Sequence, residues 1–504
     1  MIIEDISEET DKEDNADKED KSDGDSKKEE VKKKTITETI REFILLNDQK
    51  PIWCRRPEDV SEEDAHNLYK SFTSGNQTPY AYKLIKGEGQ IQYNGMLFLP
   101  KKLTNNVFER GVRQNNIKLY VRKIFVSDNS ADLCPEWLHF ITGIIDTVDL
   151  PLNISREMLQ ENKIVRVLRK AIVKKSIDML RNCMNDMKTY RQIYRIYQKN
   201  FKLGVYEEPG DRERVADLLL YPSMNYPTQE KHITYDDYIT NMPDEQKEIY
   251  YLSGEDIKVM EASPFLERFK EKGYDVIFYT DPIDEYIIQR LPTYKGKKLV
   301  CITKGNIDFI GDDKEELKKV QEEYKPFCDH IKKLYNNTFT DVKIGNRIKS
   351  TPCVVSAPEN GFTSNMERIV KSQTLGADSS HTYSMMNKRL LEINPEHSLI
   401  KKLKSGYINE SKVGQMNDLI DIMINGALIH SGYNVLKPAD FSEKIMRIVL
   451  AGLDMDDDDD GEDVKDTGEG VKDVKDVVDG TEENNVMLSK DISGSTETDL
   501  HSVE

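Results

Sequence analysis

The chain has 504 residues, and its 91 acidic side chains outnumber its 72 basic ones, for a formal net charge of −19. The excess lies at the two ends, since residues 1–34 carry a net charge of −6 and residues 454–504 one of −15, which leaves residues 35–453 at +2. A near-neutral central region excludes the strongly basic class of nucleic-acid-binding proteins, and no stretch reaches the ~18 apolar residues that a transmembrane helix needs.

Both ends are poor in aromatic and branched side chains. Such segments bury too little apolar surface to offset the entropy lost on folding, so we predict disorder for residues 1–47 and 454–504. The six cysteines are scattered without a Cys-x-x-Cys pair, which argues against a zinc site or a disulfide framework. With no basic-then-apolar leader and no Lys-Asp-Glu-Leu ending, the sequence predicts a cytoplasmic protein with reduced thiols and no membrane partner.

Alternating polarity predicts the first strands. Within residues 117–122 apolar and polar side chains alternate, which is the period of a strand with one buried face. Residues 91–99 are interpreted as the neighbouring strand. From Glu161 the period becomes helical, with an apolar stripe that includes Leu168 and Ile172 opposite a stripe of arginines and lysines. A basic stripe could contact nucleic acid, but a solvated helix face is commoner, and we predict no nucleic-acid partner.

The start of that helix carries a candidate anion site. Pro151 makes a turn, and Asn153 or Ser155 can cap the helix. Arg156 then lies in the first turn, beside the positive end of the helix dipole, and Gln160 follows one turn later on the same face. A cation and an amide donor at a helix N-terminus suit a phosphate, while a solvated surface arginine is the plain alternative that spacing alone leaves open.

Residues 245–305 alternate between strands and helices. The pattern predicts strands at 249–252, 276–279 and 299–303, with helices at 264–272 and 282–291. Such alternation indicates a parallel sheet with helices on its faces. A dinucleotide-binding or kinase fold is the enzymatic alternative, and it is disfavoured because no Gly-x-Gly-x-x-Gly follows the first strand.

The last third of the chain predicts an α+β domain. Its elements are a charged helix at 312–336, extended segments at 340–356 and helices at 365–375, 409–434 and 440–453. The helices after residue 409 are apolar on more than one face. This is typical either of an ordinary helical core or of an interface between two copies of a chain.

Several short segments across residues 48–453 carry a family resemblance. In order, they are NNIKLYVR at 115–122, PEWL at 135–138, DLPLNISREMLQ at 149–160, NFKLGV at 200–205, SPFL at 263–266, TDPIDEY at 280–286 and NMERI at 365–369. Together they resemble the middle and C-terminal domains of the ninety-kilodalton heat-shock chaperone family. The fold that this resemblance implies is an α/β/α middle domain with a second, smaller βαβ unit, followed by an α+β dimerisation domain.

The resemblance also implies domain boundaries. They are a charged linker at 1–47, the large α/β subdomain of the middle domain at 48–200, its smaller helical and βαβ subdomains at 201–305, a C-terminal dimerisation domain at 306–453 and an acidic tail at 454–504. Nothing in the chain resembles the family's N-terminal nucleotide-binding domain. We therefore expect a fragment, a truncated gene model or a specialised paralogue, with no ATP binding or hydrolysis by this chain alone.

Members of the family are dimeric clamps driven by ATP and Mg²⁺, and the resemblance implies roles for particular residues. Arg156, with Gln160 beside it as an auxiliary group, matches the position that faces the γ-phosphate of ATP held by the nucleotide-binding domain. Arg122 and Phe125 match an exposed patch near the contact with that domain. A solvated arginine and a sheet-edge core residue fit the same two positions. No metal ligand set is implied within the chain.

Client proteins and a second copy of the chain are the implied partners. Phe362 and Met366 lie in the segment that matches a client-contacting surface, and the helices at 409–453 match a homodimer interface. The ending Ser502-Val503-Glu504 keeps a terminal acidic residue but lacks an upstream acidic pair, so docking of tetratricopeptide co-chaperones should be weak or absent. Two functions stay open: an ATP-driven clamp joined to its nucleotide domain, and an ATP-independent scaffold or holdase.

Overall fold

The computed structural model describes most of the chain between residues 50 and 453. The described residues are 50–73, 77–89, 91–102, 116–128, 133–151, 163–305, 307, 309, 314–373, 388–408, 413–435 and 437–453. The described part of the chain divides into two units, with the boundary between Ser442 and Glu443. The predictions of disorder for the two ends concern residues outside the described ranges.

A five-stranded sheet follows helix α1 (Glu62–Phe72). Its strands are β1 (Ala81–Gly87), β2 (Tyr93–Leu99), β3 (Ile117–Val121), β4 (Ile124–Ser127) and β5 (Thr142–Thr147). Their order across the sheet is β1-β2-β5-β3-β4, with β3 and β5 parallel and the other pairs antiparallel. The prediction that residues 91–99 neighbour residues 117–122 is wrong, because β5 lies between β2 and β3 and pairs with both.

The two faces of this sheet bury different layers. Phe98 of β2 packs against Tyr69 of α1, with ring centroids 5.4 Å apart. The neighbouring Leu97 lies on the opposite face, as the two-residue period of a strand requires, and joins the largest apolar cluster. That cluster is completed by two long helices, α2 (Lys163–Cys183) and α3 (Met187–Glu207).

The helical prediction from Glu161 onward is confirmed from Lys163 by α2, in which Leu168 and Ile172 are buried, while residues 161–162 lie outside the described residues. Asp186 caps the start of helix α3, because its carboxylate accepts hydrogen bonds from two backbone N–H groups of the first turn. Two shorter helices complete this region, α4 (Arg212–Ala216) and α5 (Tyr235–Asn241).

A second sheet is built mainly from parallel strands. Its strands are β6 (Ile249–Ser253), β7 (Ile277–Tyr279), β8 (Thr293–Tyr294) and β9 (Lys297–Cys301), in the order β7-β6-β9-β8. The connecting helices are α6 (Ile257–Glu261), α7 (Glu267–Lys272) and α8 (Pro282–Arg290). The predicted alternation and the parallel pairing are confirmed, whereas the short antiparallel edge strand β8 was not predicted.

The last region combines helices with a three-stranded sheet. Its strands are β10 (Asp341–Ile344), β11 (Cys353–Ser356) and β12 (Leu390–Ile393), in the order β10-β12-β11. Its helices are α9 (Lys314–Leu334), α10 (Ser364–Gln373), α11 (Ser398–Ile408), α12 (Val413–His430) and α13 (Pro438–Leu453). The predicted helices are confirmed to within a few residues, but β12 and α11 were not predicted. Within the described ranges, no helix is long and apolar enough to cross a membrane.

The parallel sheet and the third sheet share an apolar core. Tyr250 of β6 and Phe269 of α7 belong to the same buried cluster as Ile348 and Val354. The boundary predicted between residues 305 and 306 therefore lies beside a continuous apolar contact. The mixed architecture of sheets covered by helices agrees with the predicted α/β and α+β fold class.

Candidate functional site

The predicted phosphate-binding pair, Arg156 and Gln160, lies outside the described residues, which stop at Pro151 and resume at Lys163. Their assignment stays a prediction. A cavity of about 600 Å³ within the described part of the chain is lined by three lysines and three carboxylates, Lys298, Lys304, Lys343, Glu248, Asp341 and Glu359. Because the lysines are matched by the carboxylates, the cavity offers a triphosphate no excess positive charge.

The turn between β3 and β4 places Arg122 and Lys123 at the tip of a hairpin. Both residues have left-handed backbone angles, with φ of 51° and 66°. Non-glycine residues adopt these angles at a cost, so the turn needs support from its surroundings. The buried carboxylate of Asp146 provides it, because one oxygen accepts the Lys123 backbone N–H at 3.0 Å and the other accepts the indole N–H of Trp53 at 3.3 Å.

Beyond this turn the hairpin exposes a patch of apolar side chains. Ile124 is 55% exposed, Phe125 50% and Val148 43%. The Phe125 ring packs edge-on against Tyr120 at 5.6 Å. Arg122 is exposed beside them, and its Nε donates to the Val148 carbonyl at 3.4 Å. We call Arg122, Ile124, Phe125 and Val148 the hairpin patch.

The alternative interpretation of Phe125 as a sheet-edge core residue is wrong, since half of the side chain is exposed. Sequence reasoning named Arg122 and Phe125 but missed Ile124 and Val148. The signal was present for Ile124, because two adjacent bulky apolar residues after a two-residue turn cannot both face the core of a strand pair. For Val148 there was no local signal, because its exposure depends on where β5 ends against the hairpin.

The NFKLGV and TDPIDEY segments meet in a buried ion cluster. Lys202 of α3 donates to the carboxylates of Asp281 and Asp284, and its Nζ lies 2.8 Å from Oδ2 of Asp284. The Tyr221 hydroxyl donates to the other oxygen of Asp284 at 3.1 Å. Burial lowers the pKa of the Lys202 ammonium, but the nearby carboxylates, Asp284 first, outweigh that effect and raise it. Lys202 is therefore charged at every ordinary pH, and this part of the family signature serves packing between α3 and α8.

Glu285, the next residue of the same segment, connects three elements. Its Oε1 accepts hydrogen bonds from Ser253 at the end of β6 (2.5 Å), from Thr363 (2.9 Å) and from Asn365 in α10 (3.3 Å). The two predicted client-contact residues, Phe362 and Met366, lie beside Thr363 and Asn365 in the chain. Phe362 is half-buried and Met366 only 7% exposed, so their apolar surface is largely covered here. Their role as client contacts stays a prediction.

The helices assigned to the homodimer interface carry exposed apolar side chains. On α12, Leu419 is 36% and Ile429 52% exposed. In the second compact unit, Met446 and Leu450 are each 60% exposed, and Val449 is 52% exposed. Within the second unit, exposed aliphatic residues at positions 446, 449 and 450 of one helix lie on one face, which is typical of a surface that another chain covers.

Comparison with known proteins identifies the family. A family profile described as Hsp90 protein matches residues 3–481. The chain belongs to the Hsp90 family of molecular chaperones. Heat shock protein 83 from Leishmania donovani is 35% identical over 432 residues, which cover 84% of this chain and 94% of that protein. An endoplasmin homolog from Hordeum vulgare is 37% identical over 453 residues, covering 85% of this chain and 55% of the relative.

One further relative and one solved structure are also similar to this chain. A chloroplastic heat shock protein 90-5 from Arabidopsis thaliana is 34% identical over 422 residues, covering 83% of this chain and 54% of the relative. The chain thus spans about half the length of the plant relatives it matches. Among solved structures, the middle domain of a Plasmodium falciparum heat shock protein is 32% identical, with a TM-score of 0.45 over 50% of this chain and 100% of that domain.

These relatives correct one prediction. A cytoplasmic location was expected from the absence of a leader and of a retention ending. Relatives of comparable identity include endoplasmin homologs and a chloroplastic protein, which are not cytoplasmic, so the prediction is wrong. Similarity in the folded region therefore does not determine the cellular location, which is set by separate targeting signals.

Proposed function

We propose that this Hsp90-family chain binds unfolded or partly folded client proteins and dimerises, and that it acts as an ATP-driven clamp when joined to a nucleotide-binding domain. The observation that carries the proposal is the hairpin patch, in which Ile124 and Phe125 are both at least half exposed beside the cation of Arg122. Covering apolar side chains that a hairpin holds in water lowers the free energy, so these side chains favour contact with a partner.

The size of the effect follows from the exposure. Fully burying an aliphatic or aromatic side chain is worth about 1.5–3 kcal/mol, so covering the exposed halves of Ile124 and Phe125 contributes roughly 2 kcal/mol together. That corresponds to a change of roughly thirty-fold in the dissociation constant.

The test measures how the full chain binds a permanently unfolded protein, reduced and carboxymethylated α-lactalbumin. We expect the double substitution Ile124→Ser with Phe125→Ser to weaken binding by roughly thirty-fold. Val259→Ser is the matched control, because Val259 is a 71% exposed aliphatic residue on α6, outside the hairpin patch. Equal binding by the double variant and the control variant would refute the assignment of the patch.

Dimerisation is tested by sedimentation equilibrium of the whole chain. Leu450→Asp places a charge on an exposed apolar surface and should shift the dimer toward monomer, whereas Asp440→Asn, a change at an exposed polar position of the same helix, should not. A wild-type chain that sediments as a monomer contradicts the proposal.

The proposed role of Arg156 is tested in a chain joined to a nucleotide-binding domain. A planar guanidinium neutralises a phosphate through two parallel hydrogen bonds, which a lysine cannot reproduce. We expect Arg156→Ala and Arg156→Lys to lower ATP turnover by ~10³-fold while barely changing ATP affinity. Calorimetric titration of the present chain with Mg·ATP should show no binding under either function. The alternative function, an ATP-independent holdase, predicts client binding that is unaffected by any fused nucleotide domain, so client binding by the present chain and by the joined chain separates the two.

A further inference from the structure

The parallel sheet has a point at which its connections reverse direction. β6 lies between β7 and β9, so the chain leaves β6 toward one neighbour and returns to the other side for the next parallel strand. In open α/β sheets, the crevice outside the carboxyl ends of the strands at such a point is the usual place for a ligand. Ser253 ends β6 at this crevice.

Here the crevice is occupied by the beginning of α10. Thr363 and Asn365 donate to the same carboxylate oxygen of Glu285 that accepts the hydroxyl of Ser253. Thr363, Asn365 and Glu285 are each more than nine-tenths buried, at 2%, 7% and 6% exposure. No lysine or arginine in the described part of the chain forms an ion pair with Glu285, so this buried carboxylate depends on neutral donors.

The next residue holds the other end of the same helix. The Tyr286 hydroxyl donates to Oε1 of Gln373, the last residue of α10, at 2.8 Å. Consecutive residues of α8 thereby hold α10 at both ends. Between them Arg368 pairs with Glu255 at 2.6 Å, but these side chains are 46% and 68% exposed, and a pair so exposed contributes little.

We propose that Glu285 is a positioning residue that latches residues 361–373 into the crevice of the parallel sheet, and that opening this latch uncovers their apolar face for clients. The latch rests on the proposed client-binding function. It accounts for the placement of Met366, a residue of that face that is 7% exposed while the latch is closed.

A carboxylate suits a reversible latch better than an apolar contact does. When α10 leaves the crevice, Glu285 loses two neutral donors but regains water, and the hydration of a charge offsets much of what is lost. Thr363 and Asn365 are hydrated at the same time. At the Glu285 end of α10, exchange with water therefore leaves only a small difference in free energy between the closed and open states. The buried pair of Glu367 with Arg389, at 2.6 and 2.9 Å, also stabilises the closed state. A bound client reverses the balance through its preference for the open state.

The experiment combines hydrogen exchange with client binding on the full chain. Glu285→Ala leaves three buried donors without an acceptor, so amide exchange in residues 361–373 should accelerate by about ten-fold to a hundred-fold. Glu285→Gln keeps an acceptor oxygen and the volume of the side chain, and protection should stay within about three-fold of wild type. Glu255→Ala is the control, since it removes an exposed partner of the same helix and should leave exchange unchanged.

Binding of reduced, carboxymethylated α-lactalbumin should tighten in Glu285→Ala by the same factor by which protection falls. Unchanged exchange in residues 361–373 of Glu285→Ala overturns the latch. Faster exchange with unchanged binding supports the latch and instead refutes client binding by this segment. If exchange in Glu285→Ala rises throughout the chain, including α2, the isosteric Thr363→Val decides: acceleration confined to residues 361–373 supports the latch, and its absence overturns it.

Discussion

Replacing Lys202 by methionine tests whether the ion cluster between α3 and α8 holds this part of the fold together. The side chains of Lys202 and Asp284 are 3% and 1% exposed, and 2.8 Å separates Nζ from Oδ2. Without the ammonium, Asp284 keeps the Tyr221 hydroxyl at 3.1 Å and the Asp281 backbone N–H at 3.3 Å, but no cation. Asp281, at 32% side-chain exposure, can still turn to water.

One buried carboxylate is thus left without a counter-charge. Removing one partner of such a pair costs about 3–5 kcal/mol in the free energy of unfolding. The double variant Lys202→Met with Asp284→Asn removes both charges, and it should recover about half or more of that loss. Lys298→Met is the control, because Lys298 is 61% exposed in a pair with Glu359 and should change stability by less than about 0.5 kcal/mol.

The pH dependence gives an independent check. Burial raises the pKa of the Asp284 carboxyl above its usual value, and removing Lys202 removes the main opposing influence. A folded-state pKa above the unfolded one gives stability that is full at low pH and is lost as pH rises through the folded pKa. The defect of Lys202→Met should therefore be smaller at pH 5 than at pH 8.

Urea unfolding followed by tryptophan fluorescence measures these differences in stability, since Trp137 is fully buried in the apolar cluster that also contains Tyr221. A loss below about 1 kcal/mol in Lys202→Met, or a double variant less stable than the single one, would refute the reasoning.

Three further substitutions probe other contacts. Gly204→Ala should destabilise the chain by about 1–3 kcal/mol in the same urea assay, because the added Cβ would lie 2.6 Å from the ring of Trp137. Arg347→Met should cost about 3–5 kcal/mol, since its guanidinium pairs with the buried Glu392 at 3.0 Å and donates to the Ile302 carbonyl at 2.6 Å. Burial raises the pKa of Glu267, but hydrogen bonds from residues 349–351, beginning with the Ser350 hydroxyl, outweigh it and hold that pKa below 4.5. A depressed pKa gives stability that is present above the unfolded pKa and is lost as pH falls through the folded pKa. The defect of Glu267→Gln, measured by thermal melting, should therefore be present at pH 7 and should shrink as pH falls through the folded-state pKa of Glu267.

The sequence by itself determined the fold class, the family and most helices and strands. The alternation in residues 249–303 predicted three parallel strands, and the apolar stripe with Leu168 and Ile172 predicted α2, because the periods of side chains along a strand or helix are local properties. These signals need no knowledge of what lies on the other side of the element.

Only the tertiary structure decided which elements meet. The sequence did not show that β5 lies between β2 and β3, or that Lys202 finds Asp284 some 82 positions away. It also did not show that Glu285 accepts a hydrogen bond from Thr363. In the tertiary structure Met366, a residue of the predicted client surface, is buried. The physical reason is that periodicity tells which face of an element is buried, whereas the partner on that face is chosen by long-range packing and hydrogen bonding.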